Sequence, residues 1–309
     1  MQIKRIIKEN LNVGVDALKT RIFRESEALL FTLPAVIPLL VFWLGPLGYI
    51  FYLSFTDWDF MSPDKLFVGL ENYRYLLGNP EFYQALKVTA LFGLGSVIPI
   101  MVGGLLLALL MNSKLRTSGV YRAFIFSPWV TPTVAVSIVW SWIFQPDVGY
   151  ANHVLSWFGI AGIGWLQDSN WALVAVLIVT LWKSVGWAMI FYLVALRNLP
   201  SDLLEAASMD GASAWSRFRH ITLPLISPTT FFLAVILTIQ SLQAYDQINV
   251  MTQGGPAGST RTLLYLYYQS AFEAFNVGEA SSVAVVIILI CVLLSGCSFL
   301  IGRKMVHYQ

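Results

Sequence analysis

The segment Asn198-Leu-Pro-Ser-Asp-Leu-Leu-Glu-Ala-Ala-Ser-Met-Asp-Gly-Ala-Ser-Ala-Trp-Ser-Arg-Phe-Arg-His-Ile-Thr-Leu-Pro224 lies between two long apolar runs and is the most informative stretch of the chain. It reads as two short helices joined at a glycine. Ser201 is placed to cap the first, with Asp202 and Glu205 near its electropositive end. Gly211 permits the backbone to reverse, and Ser213 is placed to cap the second. Arg217, Arg219 and His220 then fall at the electronegative end of the second helix. Leu203, Leu204, Ala207, Trp215 and Phe218 supply apolar surface that a solvated connection would not need. A projecting helix pair of this kind is a docking element.

Outward from this loop the chain is built for lipid. Of its 309 residues 57% are hydrophobic and 12% charged, about half the charged fraction of an ordinary soluble domain. A soluble protein this apolar could not cover its own surface with polar groups. Runs free of Asp, Glu, Lys and Arg occupy 28–56, 88–113, 123–146, 221–245 and 280–302, and 169–196 is interrupted only by Lys183. Each is long enough to cross about 30 Å of hydrocarbon as a helix. The expected fold is all-α and integral to the membrane, with six transmembrane helices at about 29–55, 88–112, 123–145, 170–196, 222–245 and 280–302. These form one domain over 28–302, from which the loop 197–224 projects. Pro34, Pro38, Pro46, Pro99, Pro128 and Pro132 predict kinked helices around a lumen.

Orientation follows from Lys and Arg. With the N-terminus inside, 14 of 19 basic residues lie in inside segments, four (Lys65, Arg74, Lys87, Arg261) outside, and Lys183 within the bilayer. The positive-inside rule places both termini of this multi-pass protein in the cytoplasm. Asp57, Asp59, Asp64, Glu71 and Glu81 crowd the first outer loop. Residues 148–167 are uncharged but rich in glycine and polar groups, and read as an external loop resting against the membrane. Residues 1–27 lack the pattern of a signal peptide and form a cytoplasmic tail. Its stretch 3–22 reads either as an amphipathic surface helix or as a solvated tail carrying topology charge. Residues 303–309 form a second cytoplasmic tail.

Several chemistries have no counterpart in the sequence. There is no Gly-Lys dipeptide, hence no Walker loop to cradle nucleotide phosphates. His153, His220 and His307 are scattered, and no His/Cys/carboxylate cluster has metal-ligand spacing. No Gly-x-Ser-x-Gly elbow appears. Cys291 and Cys297 lie roughly 9 Å apart along one helix, beyond disulfide reach. The spans carry no carboxylate for ion coupling, Asp246 at the outer end of the fifth being the nearest. Near-balanced charge gives no sign of a nucleic-acid partner. The expectation is a transport subunit, not an enzyme, that binds no cofactor and draws energy from a partner. The competing class is an autonomous secondary transporter or channel, since ions can also be coordinated by carbonyls.

The loop also resembles a known family. Glu205-Ala206-Ala207, Gly211 and Ile221-x-Leu223-Pro224 match the EAA loop of importer-type ABC permeases, with Asp210 beside the glycine. Phe67-Val-Gly-Leu-Glu-Asn-Tyr73, Gln145-Pro-Asp-Val-Gly-Tyr-Ala-Asn152 and Thr252-Gln-Gly-Gly-Pro256 look like the carbohydrate-uptake branch; Gln253 stands where many relatives have glycine. The resemblance implies a permease that pairs with a second, related permease, two cytoplasmic ATPases carrying ATP and Mg, and an external solute-binding protein. It further implies that the EAA helix pair inserts into a cleft on an ATPase, with Glu205 as the charged contact and Gly211 setting the angle between helices.

Candidate solute-pathway residues lie in the spans. Lys183 either meets solute or bonds helix carbonyls or a partner's carboxyl and fixes packing. Gln240, Gln243 and Gln247 recur at helical spacing and are expected to form a polar stripe on one face, turned to a lumen or to another helix. Trp187, with Trp140, Trp142 and Trp182, offers rings for stacking on sugars, although membrane tryptophans are commonly interfacial or packing residues. One lysine among amides and aromatics suits hydroxyl groups, so a sugar or related polyol is the favoured solute class. Glycerol-3-phosphate or a phosphodiester is the alternative, because a partner permease can supply further cations.

Overall fold

The apolar runs fold as helices, and prolines and polar side chains decide where those helices bend or stop. The computed structural model describes residues 31–112 and 118–305. The expected tail 1–27 and the end of the tail 303–309 lie outside the described residues. Residues up to Leu53 and residues from Ser54 onward form two compact units.

In the first unit, α1 (Phe31–Leu53) is a 23-residue apolar helix. Its turn widens over Leu40–Leu44, where the Gly45 N–H reaches back to the Leu40 carbonyl. Pro46 follows at once and has no N–H to continue the ordinary ladder.

The second unit opens with a two-residue ladder in which β1 (Thr56–Asp57) pairs antiparallel with β2 (Leu66–Phe67), Thr56 opposite Phe67. In the connecting turn the Asp59 carboxylate accepts the Ser62 and Met61 N–H groups at 2.7 and 3.0 Å. These bonds, Ser62's first, hold its carboxyl below the ordinary value. Helix α2 (Glu71–Gly78) is tied back to this ladder. Asn72 Nδ2 donates to the Ser54 and Thr56 carbonyls, and the Tyr73 hydroxyl to Ser54 Oγ.

Helix α3 (Pro80–Met111) begins eight residues before the charge-free run starts. Glu81 and Lys87 end a charge count without ending a helix, and Asn79 caps the true start by accepting the Glu81 N–H at 2.9 Å. The third expected span is two helices, α4 (Ser118–Val130) and α5 (Thr133–Ile143), bent by 97° at their junction. Pro132 causes the break, since it donates no hydrogen bond and pushes Thr131 out of the helical region. Helix α6 (Tyr150–Trp157) and α7 (Ala172–Arg197) follow. Next come α8 (Ser201–Met209), α9 (Ala214–Leu225) and α10 (Ser227–Leu242), the last two bent by 62°. Short helices α11 (Asp246–Met251) and α12 (Leu263–Tyr268) precede the final α13 (Val277–Met305). Among the described residues four helices are long and apolar enough to span a membrane, and the two bent pairs bring the number to six when each is one span.

Close contacts fix the relative direction of these helices. A Cβ on Gly95 would meet Leu177, and one on Gly104 would meet Ala188, at 2.9 and 2.7 Å. Helices α3 and α7 therefore run parallel, at the separation that small residues permit between membrane helices. Two parallel spans require one return crossing between them, which the α4–α5 pair supplies. No further crossing is left for 148–167, which contains the short helix α6. Gly93 lies against Ser241, so α10 returns antiparallel to α3. Phe231 packs on Phe299 near one end of α10, while Leu242 shares a crevice with Cys291 near the other, so α13 reverses direction again. The Met111, Arg197 and Gly302 ends, together with α8 and α9, thus share one side. The β1–β2 ladder, α6 and the loops around α11 and α12 share the other.

Of three apolar clusters among the described residues of this unit, two flank a polar space. One gathers Phe92, Val136, Phe144, Trp165, Val176 and Ile248 toward the side of α6. The other gathers Ile100, Ala188, Met189, Tyr192, Leu233 and Leu237 toward the side of α8. Between them lies the polar space described next.

Candidate functional site

A cavity of about 280 Å³ opens between α3, α7, α10 and the α4–α5 junction. Lys183, Gln240, Gln243 and Gln247 all line it, with Trp129, Thr133, Tyr245 and Asp246. The three glutamines do not form the expected stripe on one helix. Helix α10 stops at Leu242, and Gln243, with φ −95° and ψ 12°, leaves the helical region. The freed Ala244 carbonyl accepts the Thr262 hydroxyl at 3.3 Å. Gln247 belongs to α11, so the glutamines converge on the cavity from two helices and the break between them. Helical spacing named the right side chains for a geometry that tertiary hydrogen bonding replaced.

Lys183 reaches across to the α4–α5 break. Its ammonium donates to the carbonyls of Thr131, Trp129 and Pro128 at 2.7, 3.0 and 3.4 Å. Those carbonyls belong to the last turn of α4 and the break beyond it. The Pro128 carbonyl also accepts the Thr131 N–H at 3.3 Å, while those of Trp129 and Thr131 fall where a helix end runs out of onward N–H donors. An ammonium has three N–H donors, and three carbonyls face it. The Trp129 ring also lies 5.6 Å from the charge. Trp187, expected near solute, is not among the cavity-lining residues. It stacks on Trp129 at 5.2 Å and packs on Phe191 at 4.7 Å, bracing the lysine's neighbour. The sequence displays the charge of Lys183 but not the bend that surrounds it with carbonyls. Asp246 and Thr133, which also face the cavity, carried no periodic signal.

On the opposite side of α6, α8 and α9 form the projecting pair. Gly211 has φ +77°, the left-handed conformation in which glycine is strongly favoured. Ser213 caps α9 by accepting the Ser216 N–H at 3.2 Å. Ser201 does not cap α8: Pro200 holds the cap position and the Ser201 hydroxyl donates to Asp202. Proline fixes its own φ, and with Pro200 as the cap α8 starts one residue earlier than a Ser201 cap would place it. Arg217, Arg219 and His220 are not at a helix end. Helix α9 continues past them through a wider turn at Phe218–Thr222 to Leu225. Arg217 instead joins the two helices, donating to Ser208 Oγ at 2.7 Å. Glu205 and Ala206 are exposed, as are Leu203, Trp215 and Met209, the last at 89%. Ala207, Leu204 and Phe218 are half-buried; Asp210 and Leu223 are exposed, Ile221 is half-buried, and Pro224 lies in the last turn of α9.

The remaining motifs build the side on which α6 lies. The Asn152 amide makes four contacts: it donates to the Pro146 and Ile163 carbonyls and accepts from the Ile163 N–H and Trp165 Nε1, all within 3.0 Å. In the Thr252–Pro256 turn, Gln253 adopts φ +50°, which accounts for the glycine expected there. The loop is held by Gln84 Nε2 on the Ala257 carbonyl and by an Arg261–Glu81 ion pair at 2.7 Å.

Over residues 100–307 the sequence matches the family described as "Binding-protein-dependent transport system inner membrane component". The chain belongs to this family. The permease is 38% identical over 283 residues to the lactose transport system permease protein LacF of Rhizobium radiobacter, covering 89% of this chain and 93% of LacF. It is 32% identical over 282 residues to the sn-glycerol-3-phosphate transport system permease protein UgpA of Agrobacterium fabrum, covering 90% and 95%. A chain from the crystal structure of a bacterial ABC transporter that imports the acidic polysaccharide alginate shares the fold. Its TM-score is 0.80 at 22% identity, over 94% of this chain and 99% of that one. This permease is therefore an integral-membrane subunit of an ABC transport system, as the resemblance of its loop 197–224 led us to expect.

Proposed function

We propose that this permease conducts an uncharged sugar or related polyol into the cytoplasm, with ATP hydrolysed on partner subunits. The observation that carries the solute class is the commitment of Lys183 to three backbone carbonyls. The cavity's one ammonium turns its N–H groups to carbonyls at 2.7, 3.0 and 3.4 Å rather than to open space, while Gln240, Gln243 and Gln247 offer amides suited to hydroxyl groups. The similarity to LacF points the same way.

The permease pairs with a second, related permease, and an external binding protein delivers solute to the α6 side. The α8–α9 pair docks on one of two cytoplasmic ATPases, which hold ATP and Mg; the permease binds no cofactor and no metal. Glu205, Ala206, Ala207, Asp210, Gly211, Ile221, Leu223 and Pro224 are its coupling residues. The exposed Leu203, Met209 and Trp215 supply the apolar part of that contact. The basic residues of the Arg197 side put that face in the cytoplasm.

A glycerol-3-phosphate importer is the second reading, favoured by the 32% identity to UgpA. Purifying the whole transporter and measuring its ATPase rate with loaded binding protein separates the two. Lactose or a related sugar should stimulate hydrolysis and sn-glycerol-3-phosphate should not. Stimulation by the phosphate ester alone would reverse the assignment.

A further inference from the structure

We propose that Asp246 sets the charge selectivity of the cavity, admitting neutral and cationic polyhydroxy solutes and turning anionic ones away. The inference deepens the sugar assignment and rests on it.

Two charged side chains line the cavity, Lys183 and Asp246. Their surroundings differ. The Lys183 ammonium faces three carbonyl oxygens, whose dipoles offset its positive charge on the side where it is held. Asp246 opens α11 at the mouth of the break and is exposed. Among the described residues its carboxylate has no hydrogen-bond or ion-pair partner. The charge that faces the open space is therefore negative. With apolar Phe92, Ile100, Val179 and Leu237 in the same wall, its field is screened less than it would be in bulk water.

A carboxylate in such a place does two things. It accepts hydrogen bonds from two neighbouring hydroxyls of a polyol, which the amides of Gln243 and Gln247 beside it can extend. It also repels a phosphate or carboxylate, and discrimination against a wrong solute is commonly built from such a repulsive element. The bland role for Asp246 is a favourable charge at the start of α11. That role predicts an effect on the helix but none on which ions reach the cavity.

The test reads the cavity's potential directly, in the assembled transporter. Cys291 and Cys297 are replaced by serine, and a single thiol is placed in the cavity by Thr133→Cys. Three methanethiosulfonates of similar size, carrying trimethylammonium, sulfonate or hydroxyl, then modify it. Rates are read by mass on the peptide containing residue 133 and normalised to free cysteine. We expect the cationic reagent to outrun the anionic one by roughly tenfold, and Asp246→Asn to cut that ratio roughly threefold or more. The neutral reagent's rate should not move, and Asp246→Glu, which keeps the charge, should keep the ratio. A ratio unaltered by Asp246→Asn, or lost equally in Asp246→Glu, would overturn the proposal. Such a result in a transporter still stimulated by lactose removes the role of Asp246 and leaves the sugar assignment standing.

Discussion

Lys183 concentrates the chemistry of a single residue inside a membrane. Its charge sits beside a helix break whose carbonyls would otherwise face a medium poor in donors, where an unpaired carbonyl is costly. Lys183→Met should therefore destabilise the permease by about 3 kcal/mol, the scale of one or two orphaned acceptors, since the Pro128 carbonyl keeps the Thr131 N–H. Lys183→Arg, which keeps several donors, should recover part of that loss. Thermal unfolding of the purified subunit in detergent measures both. Unchanged stability with altered solute preference would instead make Lys183 a solute ligand. The residue scale also shows what spacing alone conveys. The single intramembrane charge was visible in the sequence, and so was the amide set at 240, 243 and 247. The carbonyls around the lysine come from residues more than fifty positions away, and no local pattern encodes that meeting. Gln253 and Asn152 make the same point from the other direction: their motifs were legible as strings, while the positive φ of one and the four-way clamp of the other belong to the folded chain.

At the scale of elements, the α8–α9 pair is more rigid than two helices on a flexible turn. Gly211 reverses the chain in the left-handed region, and Arg217 spans the angle to Ser208. Gly211→Val should be severe, because a β-branched residue resists that conformation and the helix angle must change. Glu205→Lys reverses an exposed charge on the proposed docking face and should weaken attachment of the ATPases. In both variants the subunit should insert and pair normally, since neither position faces the cavity. The expected result is loss of transport, with ATPases missing from the purified complex or no longer stimulated by loaded binding protein. Normal transport and normal attachment in both would remove the coupling role from this loop. The glycine and the serine cap of α9 were legible because each acts within its own turn. The course of α9 past Arg217 into a wide turn was not, since basic residues near a helix end look the same as basic residues in its middle.

For the whole molecule, the apolar spans were legible from charge-free length, but their form was not. Hydropathy cannot tell a straight span from two helices bent by 97°, as α4 and α5 are, because the bend keeps the composition and changes only the direction. What the packing adds is relative sidedness. Parallel α3 and α7, with α10 and α13 each reversed, put the loop 197–224 and the Gly302 end on one face and Asn79 with α6 on the other. The basic residues then assign the faces, with Arg197, Arg217, Arg219, Arg303 and Lys304 on the first. The two lines are independent, since packing never counts charges and charge never measures an angle. They converge on a labelling experiment in a background without Cys291 and Cys297. A cysteine at Ser213 should resist an impermeant thiol reagent in intact cells and react once the membrane is opened, while one at Asn79 should react at once. The two positions must differ whatever the absolute orientation, because the helix directions alone place them on opposite faces. Equal labelling of both would contradict the packing, and reversed labelling would contradict only the charge rule, so one measurement tests each line separately.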